Sequence, residues 1–262
     1  MVFFVFSYDQ TRTTSPVFVV LCNPATGEMK VIPPSLAEFQ PEFTTEILLH
    51  GFGYDHVRDD YKVIQIVEYF TESNDGVEPD PFWEIYSLKT NSWTKINFDM
   101  PRNEWIFYVY FDGVCHWLGR TDNKRFLVSF NLCNDVCLLT PPPSEDSFDG
   151  FDVDLTVLNG FVAIITHCKK TKSSQISILG ELGVKESWIR LFHVEPLSCI
   201  EHPIGAGKKG NMFFIKNTDE LACLDLATRP GVIEKIDVEV IQYEAQIVIY
   251  KENLHPIEGL NN

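Results

Sequence analysis

The sequence predicts an all-β fold built from repeated four-stranded units, and three observations lead to that class. Short apolar runs rich in Val, Ile, Phe, Tyr and Trp alternate with turns of Gly, Pro, Asn and Asp, whereas helical periodicity is nearly absent. A strand–turn–strand pattern recurs at 19–31, 86–98, 128–139, 178–191 and 222–233. The dipeptides Asp112-Gly113, Asn159-Gly160 and Lys209-Gly210 mark tight turns at steps of 47 and 50 residues.

A period of roughly 40–50 residues with several short strands per unit is typical of a β-propeller. The predicted strands are 2–6, 17–22 and 29–32 in a first, incomplete unit; 46–51, 61–69, 83–88 and 93–98 in the second; 105–111, 114–118, 126–130 and 136–139 in the third; 154–158, 161–167, 175–179 and 188–194 in the fourth; and 201–204, 211–215, 221–224 and 232–238 in the fifth. The repeated tryptophan position shared by Trp93 and Trp188 predicts repeated packing between units.

A further strand is predicted at 246–251, after the last complete unit. Propellers remove exposed strand edges by pairing one terminus with the blade at the other, so we expect this strand to close on the first unit. The predicted fold is therefore an all-β, β-propeller-like (Kelch-like) domain of about five to six four-stranded blades, occupying residues 1–262.

The charge and cysteine content limit the classes of partner and compartment. The protein has 37 acidic and 21 basic side chains, a net charge of −16, which disfavours nucleic acid and favours a basic protein as partner. Its seven cysteines show no framework spacing, which is typical of free thiols in a reducing compartment. We expect the cytoplasm, with the nucleus as the alternative, and no membrane span, since no apolar run approaches 18 residues.

Acidic side chains cluster in loops that contain no basic residue. The stretch 72–80 holds four acids and the stretch 144–154 holds five. Loops carried by a rigid scaffold are common binding sites, so these two stretches are candidates for an acidic recognition surface. The alternative is that they are solvated loop tips without a binding role. The candidate partner-binding residues are Asp55, Asp59, Asp60, Glu72, Asp75, Glu78, Asp80, Glu145, Asp146, Asp149, Asp152 and Asp154.

The sequence shows no catalytic, cofactor-binding or metal-binding pattern that its context supports. The stretch Gly205-Ala-Gly-Lys-Lys-Gly210 has the letters of a dinucleotide fingerprint, but a predicted strand follows it where that motif needs a helix. Adjacent residues such as Cys115 and His116 point to opposite faces of a strand, which disfavours a shared metal ion. We therefore expect no enzyme activity and no cofactor.

Several motifs taken together resemble one plant family. Leu21-Cys-Asn-Pro-Ala-Thr-Gly-Glu28 followed by Ile32-Pro-Pro-Ser35 resembles the start of the plant F-box-associated type 1 domain. Gly51-Phe-Gly-Tyr-Asp55, Phe111-Asp-Gly-Val-Cys-His-Trp117 and Gly183-Val-Lys-Glu-Ser-Trp188 follow in that family's order and spacing. The resemblance covers essentially the whole sequence and is nearest to S-locus F-box and S-locus F-box-like proteins.

This resemblance implies the substrate-recognition domain of an SCF-type E3 ubiquitin-ligase adaptor. In the S-locus branch the target is the pistil S-ribonuclease of self-incompatibility, a basic protein that suits acidic loops. The family begins with an F-box, which is absent ahead of the first predicted strand, so Skp and cullin subunits are expected partners only if an upstream F-box exists. The alternative is a propeller enzyme or a carbohydrate-binding propeller unrelated to ubiquitin transfer.

Overall fold

The computed structural model describes residues 3–7, 18–37, 43–70, 79–121, 124–143, 151–194, 200–207, 211–216, 218, 220–226, 233–239 and 257. Within these ranges the protein forms antiparallel strands arranged in five sheets, together with one short 3₁₀ turn, Lys185–Ser187. No helix among the described residues has the length and apolar character that a membrane crossing requires. The predicted all-β class, with about five sheets of mostly four strands, is confirmed.

The first of two compact units comprises residues 1–100, 132–134 and 250–262. Sheet A is three-stranded and consists of β1 (Phe3–Ser7), β2 (Phe18–Asn23) and β3 (Glu28–Val31). Sheet B is four-stranded and consists of β4 (Thr44–Asp55), β5 (Asp60–Phe70), β6 (Phe82–Ser87) and β7 (Ser92–Ile96). In both sheets each strand pairs with the next one in the sequence.

The second unit comprises residues 101–131 and 135–249 and holds three four-stranded sheets. Sheet C consists of β8 (Arg102–Phe111), β9 (Val114–Thr121), β10 (Lys124–Asn131) and β11 (Val136–Thr140). Sheet D consists of β12 (Phe151–Leu158), β13 (Phe161–Cys168), β14 (Ser174–Leu179) and β15 (Trp188–Val194). Sheet E consists of β16 (Ile200–Ala206), β17 (Asn211–Lys216), β18 (Glu220–Asp225) and β19 (Ile233–Glu239).

Two of the predicted tight turns have the backbone geometry that their sequences require. Asp112 and Gly113 have φ of 47° and 81°, and Asn159 and Gly160 have φ of 51° and 82°. A type I′ turn needs positive φ at both central positions, which Asp, Asn and Gly tolerate best. The third predicted turn, Lys209-Gly210, lies outside the described residues.

Burial changes from the second strand of a sheet to its outermost strand. In sheet B, nine of the eleven residues of β5 are buried, including Val63, Ile64, Ile66 and Val67 on alternating faces. The outermost strand β7 instead has one buried residue, Trp93, which lies between exposed neighbours. In the second unit, clusters of Leu, Ile, Val and Phe side chains fill the space between neighbouring sheets. This layered burial is what stacked sheets of a repeat fold require.

Tryptophan side chains link successive repeats through proline carbonyls. The Nε1–H group of Trp93 in β7 donates to the carbonyl of Pro33, which follows β3, at 2.8 Å. In the second unit Trp188 of β15 donates to the carbonyl of Pro141, which follows β11, also at 2.8 Å. The predicted equivalence of Trp93 and Trp188 is therefore confirmed, and its chemical basis is a hydrogen bond from each indole to the end of the preceding outermost strand.

The predicted closing strand at 246–251 lies outside the described residues, so closure on the first unit stays a prediction. Ile257 is described, is buried, and belongs to the first compact unit. Its backbone N–H donates to the carboxylate of Glu28 at the start of β3, at 2.9 Å. The C-terminal segment thus contacts sheet A through at least this residue.

Candidate functional site

Five of the predicted partner-binding acids have described side chains, and they divide into buried and exposed groups. Asp55, Asp60 and Asp154 are buried, whereas Asp59 and Asp80 are exposed. The backbone of a sixth acid, Asp152, lies in β12. The remaining candidates, Glu72, Asp75, Glu78, Glu145, Asp146 and Asp149, lie outside the described residues.

Asp55 ends β4 and organises the turn that leads into β5. Its Oδ1 accepts hydrogen bonds from the backbone N–H groups of Val57 and Arg58, both at 3.0 Å. Its Oδ2 contacts Lys62 Nζ at 2.7 Å and the Arg58 guanidinium at 3.0 Å. Burial alone would raise the pKa of Asp55, but the hydrogen bonds from Lys62 and Arg58 outweigh it and hold that pKa well below its usual range.

The two cations that hold Asp55 also hold the turn at 132–134, which belongs to the same compact unit. Lys62 Nζ donates to the carbonyl of Leu132 at 2.5 Å, and the Arg58 guanidinium donates to the carbonyl of Cys133. Asp55 is therefore the buried centre of an ionic network that fixes two turns, in which Lys62 is buried and Arg58 is half-exposed. Its predicted place on an exposed recognition surface is wrong, because both carboxylate oxygens are committed to this network.

Asp60 at the start of β5 has a comparable local role. Its Oδ2 accepts from Ser87 Oγ at 2.6 Å, and its Oδ1 accepts from the backbone N–H of Lys89 at 2.8 Å. Lys89 Nζ in turn donates to the carbonyl of Arg58 at 3.0 Å. Asp60 is 5% exposed, so its predicted exposure is also wrong. Its hydrogen bonds join the β4–β5 turn to the β6–β7 turn.

Asp59 lies at the tip of the β4–β5 turn and remains a candidate. It has φ of 52°, a left-handed conformation that Asp tolerates. Its carboxylate accepts a hydrogen bond from the Tyr54 hydroxyl at 2.5 Å. The exposed tip also carries His56, Val57 and Arg58, with Val57 68% exposed. The tip therefore combines one acid, one cation and an apolar side chain.

Asp154 does not lie in a loop, because β12 begins at Phe151 and includes it. The carboxyl is 6% exposed; its Oδ1 accepts from the Leu155 backbone N–H at 2.9 Å, and its Oδ2 has no hydrogen-bond partner among the described residues. Burial raises the pKa of Asp154 to about 7, and the Leu155 hydrogen bond offsets this only in part. The predicted exposure of Asp154 is wrong, since the strand turns this side chain inward.

The buried histidines support the sheets. His116 Nδ1 lies 2.9 Å from Ser129 Oγ on the paired strand, and His50 Nδ1 lies 2.9 Å from the carbonyl of Leu48. Burial lowers the pKa of His116 to about 3 and that of His50 to about 4, so both imidazoles are neutral at pH 7. Among the described residues, no group of three His, Cys, Asp or Glu side chains is placed to hold a metal ion.

A concave site that the sequence did not indicate lies on the outer half of sheet D. It has a volume of about 390 Å³, and its lining includes Gln175, Ser177, Glu186, Trp188 and Arg190. Sequence reasoning concentrated on acidic loops and missed this cavity. The available signal was β15 itself, Trp-Ile-Arg-Leu-Phe-His-Val, which contains a cation and no acid in a strongly acidic protein.

The five-sheet architecture and the turn networks define an all-β, propeller-type repeat domain. A model of the F-box associated beta propeller domain matches residues 10–257. The chain belongs to this family.

Curated relatives are F-box proteins of Arabidopsis thaliana. F-box protein CPR1 is 26% identical over 280 residues, covering 95% of this chain and 67% of that protein. F-box protein At4g22390 is 25% identical, covering 71% of this chain and 50% of its own length. F-box/kelch-repeat protein At3g23880 is 23% identical, covering 60% and 43%. The chain thus spans between about two fifths and two thirds of these relatives.

Solved structures resemble the fold only distantly. Dipeptidyl peptidase 4 of Porphyromonas gingivalis aligns with a TM-score of 0.47 at 10% identity, covering 89% of this chain and 38% of that one. Hsv2 of Kluyveromyces lactis aligns with a TM-score of 0.40 at 10% identity, covering 94% and 86%. These similarities carry no argument about activity or ligands.

Proposed function

We propose that this protein is a substrate-recognition domain of an SCF-type F-box ubiquitin-ligase adaptor, and that it acts without catalysis of its own. The observation that carries the proposal is the family match over residues 10–257, together with curated relatives that are F-box proteins. A rigid scaffold of stacked sheets that presents loops is suited to holding a protein target. Skp and cullin subunits are partners of the whole adaptor, through an F-box.

We further propose a basic protein target, with a pistil S-ribonuclease as the specific candidate. The net charge of −16 supports this proposal, since complementary charge raises the rate of encounter. Of the candidate acids whose side chains are described, Asp59 and Asp80 are exposed and remain in the proposed surface. Glu72, Asp75, Glu78, Glu145, Asp146 and Asp149 remain in it as predictions. The proposed compartment is the cytoplasm, with the nucleus as the alternative.

The test is a kinetic binding measurement with the purified protein immobilised and a pistil S-ribonuclease as analyte. We expect saturable binding whose association rate falls severalfold in the double variant Asp59→Asn/Asp80→Asn. The matched control is Glu181→Gln/Glu234→Gln, which removes two charges from other exposed positions and should change the rate by less than half as much. Equal loss in both variants would show that only the overall charge matters.

Three other outcomes bear on the wider proposal. A full-length adaptor that contains this domain and an F-box should transfer ubiquitin to the bound target in a reconstituted ligase, and deletion of this domain should abolish that transfer. Retention of glycans without any protein target would instead favour the carbohydrate-binding alternative. Turnover of a small substrate by the purified protein would favour the enzyme alternative.

A further inference from the structure

The outer strand pair of sheet D contains an irregularity that sorts its side chains between two faces. β14 and β15 pair with Leu179 opposite Trp188 and Ser177 opposite Arg190. The register then shifts between Ile176 and Ser177, because Leu191 of β15 is an extra residue between the partners Arg190 and Phe192. Such a β-bulge changes which side of the sheet the following residues occupy.

One face of this pair contributes apolar side chains to the core. Ile176 and Ile178 of β14 are buried, and Val194 of β15 is buried in the same cluster. Phe192, which pairs with Ile176, packs against that cluster. Without the bulge, simple alternation along β15 would place Phe192 on the same face as Arg190. The bulge instead places Phe192 on the face that packs into the core.

The other face carries Leu179 and Trp188 at its apolar end, packed in a second core cluster, and polar side chains beyond them. Residues directly opposite each other share a face, so Gln175 and Ser177 of β14 lie with Arg190 and His193 of β15. Gln175 Nε2 donates to Ser177 Oγ at 3.3 Å, which orders the two neutral groups beside each other. The bulge therefore brings the nitrogen-bearing ring of His193 onto the face that already carries Arg190.

Four residues of this face, Gln175, Ser177, Trp188 and Arg190, line the cavity of about 390 Å³. Trp188 donates a 2.8 Å hydrogen bond to the carbonyl of Pro141, and Pro143 also lines the cavity. The charged side chains in the lining are Lys185, Glu186 and Arg190, a net charge of +1 in a protein of net charge −16. Arg190 forms no ion pair and no side-chain hydrogen bond with any residue that the structure describes, and it is exposed.

We propose that this cavity binds a carboxylate carried by an acidic peptide segment. The Arg190 guanidinium presents a planar fork of N–H donors that matches the two oxygens of a carboxylate. Gln175 and Ser177 add neutral donors beside it, and the Trp188 ring together with Pro143 supplies apolar contact for the peptide on either side of the acid. This cavity selects a ligand of opposite charge to the basic target that the candidate acids favour.

Two sources of carboxylate are distinguishable: an acidic side chain and the free carboxyl end of a peptide. Each probe carries an N-terminal BODIPY label, a dye without a carboxylate. (Gly-Glu)₃ with an amidated C-terminus presents side-chain carboxylates only, and (Gly-Gln)₃ as a free acid presents the terminal carboxylate only. The amidated (Gly-Gln)₃ peptide has neither and is the negative probe. Fluorescence anisotropy measures the dissociation constant of each probe. The measurement is made at 0.15 M salt, where the Debye length is about 8 Å, because this screens distant charges while ion pairs in direct contact persist.

We expect saturable binding of at least one carboxylate probe and none of the negative probe. Arg190→Gln should weaken that binding about tenfold or more, because a hydrogen bond to a charged group is lost. Lys170→Gln removes the same charge from the exposed turn that follows β13, outside the cavity, and it should change the dissociation constant less than twofold.

Three results would overturn the proposal. One is the absence of saturable binding by either carboxylate probe up to millimolar concentration. Another is equal weakening by Arg190→Gln and Lys170→Gln, which would assign the effect to net charge. The third is equal binding of the negative probe. Melting temperatures of both variants within about a degree of the wild type verify that the comparison is between folded proteins.

Discussion

Replacing Asp154 by Asn is expected to stabilise the domain, and to do so more strongly as the pH rises. The Asp154 carboxyl is buried within β12, and its Oδ2 has no hydrogen-bond partner among the described residues. In water a carboxyl of this type titrates near pH 3.8, whereas burial raises the pKa of Asp154 to about 7. Above pH 7 the folded protein must therefore hold an ionised carboxylate in an environment that solvates it poorly.

The size of the effect follows from linkage. Because the folded-state pKa is raised, the contribution of this group to stability is fully present below pH 3.8 and is lost as the pH rises to about 7. Each unit of pKa shift corresponds to about 1.4 kcal/mol, so the loss reaches about 4 kcal/mol above pH 7. About 2 to 3 kcal/mol of this loss of stability develops between pH 5 and pH 8. Asn does not titrate, so the Asp154→Asn variant does not lose this stability as the pH rises.

Urea unfolding of wild type and Asp154→Asn at pH 5 and pH 8 measures this difference directly. The variant should gain about 2 to 3 kcal/mol more at pH 8 than at pH 5, with unchanged dependence on urea concentration. Asp80→Asn makes the same chemical change on an exposed side chain and is the control. A gain that is equal at the two pH values, or a loss at both, would refute the reasoning, because ionisation would then not be the source of the strain.

Three further substitutions test the networks that hold the sheets. Lys62→Met should destabilise the first unit by about 3 kcal/mol in urea unfolding, because it strips the 2.7 Å cation contact from the buried Asp55 carboxylate; the double variant with Asp55→Asn should recover part of the loss, and no recovery would contradict the ionic explanation. Gly119→Ala should lower the melting temperature at a cost of about 1 to 3 kcal/mol, because the new methyl would lie 2.7 Å from the carbonyl oxygen of Pro101; an unchanged melting temperature would show that the backbone yields freely. Trp93→Phe keeps an aromatic ring but removes the indole hydrogen bond to its proline carbonyl, so calorimetry should show a loss of about 1 kcal/mol or more; a neutral result would assign the tryptophan to packing alone.

The fold was predictable because the relevant information is local. Positive φ at Asp112-Gly113 follows from residue types that tolerate it, and the period between such turns sets the strand count. The equivalence of Trp93 and Trp188 was readable from the same period. The candidate site was less predictable, because burial depends on contacts between residues that are distant in sequence. Asp55 is fixed by a carbonyl more than seventy residues away through Lys62, which no acidic pattern reveals.

The register shift in β15 shows the same limit at the level of one strand. The letters Trp-Ile-Arg-Leu-Phe-His-Val predict a strand, but alternation alone assigns Phe192 and His193 to the wrong faces. A single accommodated residue reverses that assignment. The sequence therefore predicted where the strand lies but not the faces on which Phe192 and His193 lie.

The tryptophan–proline hydrogen bonds have a consequence for how a protein of this kind could gain or lose repeats. Pro33 and Trp93 are 60 residues apart and lie on either side of the junction between sheets A and B. Pro141 and Trp188 are 47 residues apart and do the same for sheets C and D. A duplication cut at the edges of one sheet would separate each indole from its acceptor. A duplicated segment keeps this hydrogen bond only if it begins before the proline of one sheet and ends after the tryptophan of the next. The boundaries of such a genetic repeat therefore differ from the boundaries of a folded sheet.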